Sequence, residues 1–150
     1  MANASLTTDT LEEALAIAGV GCWVWDNASR SFRLSANFHG LLGCPAAALP
    51  ASPEEWLART HPDEQQLLAS LFEKLTNNAA GEKLNFTLRL RHGSGMWFWF
   101  DVHSRQQNLA DGQPGAVLIT FNDVTQQKQA ESALRDSQLR YRALYATSPL

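Results

Sequence analysis

Apolar positions switch between two periods along this chain, and the switches mark its elements. Leu11, Ala14, Leu15 and Ala18 stand at i, i+3, i+4 and i+7, Thr10 with Glu13 spells a capping box and Gly19 supplies a stop, so a short amphipathic helix is predicted. The period then drops to two. Cys22 to Asp26 and Ser31 to Ser35 alternate around Asp26-Asn27-Ala28-Ser29, whose residues have turn chemistry, which predicts a hairpin. Residues 36 to 80 are helical in pattern but broken by Gly40, Gly43, Pro45, Pro50 and Pro53, so several short helices and one longer helix are expected there. The longer one is expected to start at Asp63, boxed with Gln66, to carry Leu67, Leu68, Leu71 and Leu75 as its stripe, and to end at Asn77-Asn78.

Three strands follow. Leu84, Phe86, Leu88 and Leu90 alternate with Asn85, Thr87, Arg89 and Arg91; His92-Gly93-Ser94-Gly95 turns the chain; Met96 to Val102 is apolar on both faces except at Asp101. Ala116 to Asn122, after Gly112-Gln113-Pro114, is the last strand. Two strands, a helical block and three strands predict an α+β fold, a five-stranded antiparallel sheet with the helices on one face and the N-terminal helix or a partner subunit on the other.

Composition narrows the function more than the fold. With 150 residues, 45% hydrophobic and 18% charged, the chain is one soluble globular domain. A formal charge of -3 leaves no basic field for a nucleic-acid backbone. No window approaches 18 apolar residues, so no membrane contact is expected and a cytoplasmic location follows. Cys22 and Cys44 read as free thiols, outside any metal-binding spacing. His39, His61, His92 and His103 are scattered, with no His-Glu-x-x-His, no Gly-x-Ser-x-Gly and no phosphate loop, so neither a metal site nor an enzyme is expected in this segment.

Five motifs in order carry a family resemblance: Gly21-x-Trp23-x-Trp25-Asp26; Asn37-Phe38-x-x-Leu41-Leu42-Gly43; Trp56-x-x-x-x-His61-Pro62-Asp63; Arg89-x-Arg91-His92-Gly93-x-Gly95-x-Trp97-x-Trp99; and Asp123-Val124-Thr125. Together they resemble the PAS family of sensory domains over about residues 10 to 125. The resemblance implies a cap helix at 1–20, a PAS domain at 21–125 and, at 126–150, a signalling helix running into a second PAS domain, for which Arg140 to Leu150 resembles the opening. It implies a sensor whose conformational change passes through the junction Asp123, Val124 and Thr125 to a downstream module of the same chain, a histidine kinase or a cyclic diguanylate synthase or phosphodiesterase. A ligand-free oligomerisation scaffold is the alternative.

Family members can hold a cofactor between sheet and helices. Neither cysteine lies in the Gly-x-Asn-Cys-Arg-Phe-Leu-Gln motif of covalent flavin binders, and no histidine lies between Asp63 and Ala80, where haem binders would place one. No cofactor is predicted; noncovalent flavin or a small metabolite stays open. If the hairpin pairs Arg91 with Met96, then Leu88, Leu90, Trp97 and Trp99 share the face that meets the helices and line the pocket, whereas Phe98 and Phe100 point outward. Those two would join Leu11, Leu15, Leu134 and Tyr141 in a homodimer contact. Ala130, Leu134, Ser137, Tyr141 and Leu144 recur at 4,3,4,3 spacing, a heptad seam along which two copies could pair.

Overall fold

A computed structural model describes residues 7–77, 83–108, 110–112 and 114–147. Helix α1 (Thr8–Ala18) precedes strands β1 (Val20–Asp26) and β2 (Ser31–Leu34). Helices α2 (Phe38–Leu41), α3 (Pro53–Arg59) and α4 (Gln65–Thr76) follow, with 3-10 turns at Ala46–Ala48 and Pro62–Glu64. Strands β3 (Leu84–Arg91), β4 (Trp97–Asn108) and β5 (Pro114–Asp123) complete a five-stranded antiparallel sheet in the order β2-β1-β5-β4-β3, and helix α5 (Thr125–Thr147) leaves it.

The first hairpin forms where its turn residues lie. Asp26 pairs with Ser31, the Asp26 carboxylate accepts from the Ala28 amide at 2.9 Å, and Arg30 takes φ +53° to close the turn. The Ala28 amide, foremost among its contacts, holds the Asp26 carboxyl below its usual range. Strand β1 alternates half-buried and buried, Trp23 and Trp25 facing inward, and across its register with β5 they meet Ile119 and Val117. On the opposite face Cys22 stands beside Thr120, and burial pushes its thiol pKa up.

Two helix starts differ from expectation. Thr7, not Thr10, caps α1: its hydroxyl accepts from the Thr10 amide at 3.2 Å. Thr10 instead lies inside the helix, its hydroxyl 2.8 Å from that of Thr7. Gly19, at φ +70°, ends α1 as expected. Ahead of the long helix His61 caps a 3-10 turn that Pro62 opens, its Nδ1 accepting from the Asp63 amide at 3.1 Å, and α4 proper begins at Gln65 after Glu64, whose side chain makes no cap bond. Asp63 is drawn instead toward Arg89. In α4, Leu68, Leu71 and Leu75 are buried, whereas Leu67 is exposed. Asn77 ends the helix; Asn78 lies outside the described residues.

The second hairpin corrects the assignment of faces. The amide of Gly95 donates to the carbonyl of His92 and the amide of His92 to the carbonyl of Met96, with Gly95 at φ +88°. The loop is therefore the three residues Gly93-Ser94-Gly95, a turn closed by a left-handed glycine. Arg91 pairs with Trp97, not Met96, and every later pair shifts by one: Leu90 with Phe98, Arg89 with Trp99, Leu88 with Phe100. Phe98 and Phe100 thus share the inner face with Leu88 and Leu90, and Trp97 and Trp99 point outward beside Arg91 and Arg89. The loop is also fixed from beneath. The Gly93 amide donates to the Leu42 carbonyl at 2.7 Å, and a side chain on Gly93 would strike the Gly43 carbonyl.

Candidate functional site

The space between sheet and helices is filled by rings. The Trp23 ring lies 5.3 Å from Phe32 of β2, 6.0 Å from Phe38 of α2, 4.7 Å from Trp56 of α3, 6.0 Å from Phe72 of α4 and 4.6 Å from Phe121 of β5. Every layer element beside it thus sends an aromatic to the same point. The Trp23 Nε1 proton is buried without a hydrogen-bond partner, the kind of group a native core rarely leaves.

The end of the sheet is joined to α5 by side-chain bonds. The Asp123 carboxylate accepts from the Thr125 amide at 3.0 Å and from its hydroxyl at 2.6 Å; that hydroxyl oxygen in turn accepts from the Trp99 amide at 2.9 Å. The Val124 amide donates to the Trp99 carbonyl at 2.9 Å, and Val124 is buried. Both backbone polar groups of Trp99 are therefore committed to the first residues of the junction. Its ring faces the Arg89 guanidinium at 4.5 Å and the Lys128 ammonium of α5 at 5.7 Å. Beyond Lys128 the side chains of the helix are exposed as far as Ala146, Leu134, Leu139, Tyr141, Leu144 and Tyr145 among them.

A third cluster stands at the edge of the sheet. The Glu64 carboxylate receives the Arg89 Nε at 2.7 Å, Nη2 at 2.8 Å and backbone amide at 3.1 Å. The hydrogen bond it donates to Glu64 raises the Arg89 pKa further above its already high value. His61 donates its own backbone amide to the Arg89 carbonyl and lays its ring edge-on to Trp97 at 4.9 Å. His61, Asp63 and Glu64 bring three donor atoms close enough for a metal, but Arg89 already occupies the carboxylates, and the cluster serves to seat the approach to α4 on β3.

A model of the PAS fold matches residues 31–121. The chain belongs to the PAS fold family. The sensor protein FixL of Bradyrhizobium diazoefficiens is 26% identical over 133 residues, 87% of this chain and 25% of that protein. The two-component sensor PprA of Pseudomonas aeruginosa is 28% identical over 99 residues, 64% of this chain and 10% of that one. The chain thus spans about a quarter and a tenth of these relatives. Among solved structures, a sensory box histidine kinase/response regulator from Burkholderia thailandensis superposes with a TM-score of 0.62 at 27% identity, covering 89% of this chain and 98% of that one.

In this PAS domain the residues singled out from sequence scatter over three places. Leu88 and Leu90 are fully buried on the inner face, where a pocket was expected, but Trp97 and Trp99 are on the other side of the sheet. Phe100, expected outside, is fully buried inside, and Phe98 is half-buried with its ring stacked on His92 at 4.0 Å. Neither reaches the outer face in this register. Leu11, Leu134 and Tyr141 are exposed and Leu15 half-buried. The core rings and Glu64 escaped the sequence reading: the Trp23 partners come from five separate elements, and Glu64 follows two turn residues where a charge reads as solvated. No described helix is long and apolar enough to cross a membrane.

Proposed function

We propose that this PAS domain is the cytoplasmic sensory segment of a longer two-component histidine kinase, and that it passes conformational change to the next module through α5. The observation that carries this reading is the junction, where Asp123 and Thr125 tie the last strand and Trp99 to a helix whose remaining length is solvent-exposed. A sheet distortion that moves Trp99 must move the helix start with it. Similarity to FixL, PprA and the Burkholderia kinase supports a kinase output; a cyclic diguanylate enzyme downstream is the competing output. The segment at 140–150, read as the opening of a further PAS domain, is helical through Thr147, and its last three residues lie outside the described ones.

Asp123→Ala is the test. It removes both bonds to Thr125, and losing such a cap costs about 0.5 to 2 kcal/mol. The isolated domain is expected to melt only a few degrees lower, while autophosphorylation by the full-length protein changes severalfold or loses its response to stimulus. Wild-type output with an intact response would reduce the junction to a structural cap. Phosphate transfer absent from the full-length protein, with cyclic diguanylate made instead, would replace the kinase.

The crowded Trp23 cluster supports a second reading, a scaffold that senses through a partner, whereas its unpaired indole N–H favours a small ligand bearing an acceptor. Native mass spectrometry of freshly purified protein separates the two: a reproducible added mass means a ligand, the bare chain mass a scaffold.

Self-association belongs to the same proposal. The outer face carries Val24 and Leu118, cross-strand partners in the middle of the sheet, and Leu11 of α1 and Leu134 of α5 offer further exposed apolar side chains. A dimer with Kd of about 10 µM is expected by light scattering, and Leu118→Arg should abolish it without changing the melting temperature. Monomer alone at about 100 µM would count against it.

A further inference from the structure

Glu64 is the buried charged side chain among the described residues, 6% exposed, and the hydrogen bonds found for its carboxylate all come from Arg89. A carboxylate in that position holds its partner tightly, because separation leaves a charge without water or counter-ion. The Arg89 guanidinium in turn lies against the Trp99 indole, which the Lys128 ammonium of α5 also faces, while the Trp99 backbone amide donates to the Thr125 hydroxyl. Four elements are thereby placed in series: the turn at 61–64, β3, β4 and α5.

We propose that Glu64, Arg89 and Trp99 form a latch by which the helical layer holds the first turns of α5 against the outer face of the sheet. Displacement of the 61–64 turn withdraws Glu64, frees the guanidinium from the indole and releases the helix. The turn sits directly before α4, whose Phe72 touches Trp23, so a rearrangement of the ring cluster has a path outward that bypasses β5. The latch rests on the reading of α5 as the output element and adds a regulator to it.

Hydrogen exchange followed by mass spectrometry on the 150-residue chain tests the latch. Glu64→Gln is expected to speed exchange at Lys128 to Leu134 by about tenfold, as is Trp99→Leu, and the double variant should go no further than Trp99→Leu alone. Wild-type exchange in α5 of Glu64→Gln, or effects that multiply in the double variant, would overturn the latch. Should Glu64→Gln loosen the whole domain equally, the surface variant Lys128→Gln decides. Coupling is reciprocal, so this change must speed exchange at residues 60–66, and an unchanged rate there sinks the proposal. If Asp123→Ala loosens α5 while Glu64→Gln and Trp99→Leu do not, the latch fails and the junction reading stands. If none of the three moves it, the output role of α5 fails too.

Discussion

Trp23→Ala is expected to remove about 3 to 5 kcal/mol of stability, a large share of the roughly 5 to 15 kcal/mol that holds a domain together. Its ring is the meeting point of β2, α2, α3, α4 and β5, so alanine opens a cavity that no single element can close by shifting. Trp23→Phe should cost roughly half as much or less, since it keeps an aromatic in place and removes a buried donor whose unmet bond is worth about 1 to 3 kcal/mol. Urea unfolding with an unchanged slope is the measurement. Equal losses for the two variants would mean that the indole N–H has a partner, and a small ligand or water would then be sought there.

Arg89→Met should be nearly as damaging, at about 3 to 5 kcal/mol, because it strands the Glu64 carboxylate in a site that is 6% exposed. The pair itself is worth far less than its breakage. Replacing both members, Arg89→Met with Glu64→Leu, should recover most of the loss, since burying two ions offsets much of their attraction. A double-mutant cycle by chemical unfolding checks both figures. Loss of under about 1 kcal/mol in the single variant would show that water reaches Glu64.

The sheet was legible because its signals are local. Asp26 to Ser29 carry turn chemistry, Leu84 to Leu90 alternate cleanly, and Gly19 ends α1 where the apolar stripe stops. Two strands, a helical block and three strands then imply one five-stranded antiparallel sheet, and the structure has it. The β3–β4 faces were not legible, because the choice between a four-residue and a three-residue loop depends on Gly95 adopting φ +88°, a conformation that His92 and Ser94 could not easily take but that Gly93 could. The latch was hidden for a different reason. Arg89 sits in a strand where alternation marks the arginines as wet, and nothing in Pro62-Asp63-Glu64 says which acid turns inward. That is decided by the backbone of the 3-10 turn, which seats His61 and Thr60 along the edge of β3.

The shifted hairpin also bears on how the chain finds its fold. Trp97, Phe98, Trp99 and Phe100 are consecutive aromatics, so sliding β4 by one position trades a Trp for a Phe on either face and leaves the hydrophobic tally almost unchanged. Pairing energy among these four hardly discriminates the native alignment from its neighbour. The discrimination falls to the next residue, Asp101, which in the native alignment points outward and accepts from the Thr87 hydroxyl at 2.8 Å. Slippage would carry its carboxylate beneath the helices, where an unpaired charge is prohibitive. An ordinary surface acid thus guards the strand against misalignment during folding, and refolding kinetics, more than equilibrium stability, are where its loss would be felt.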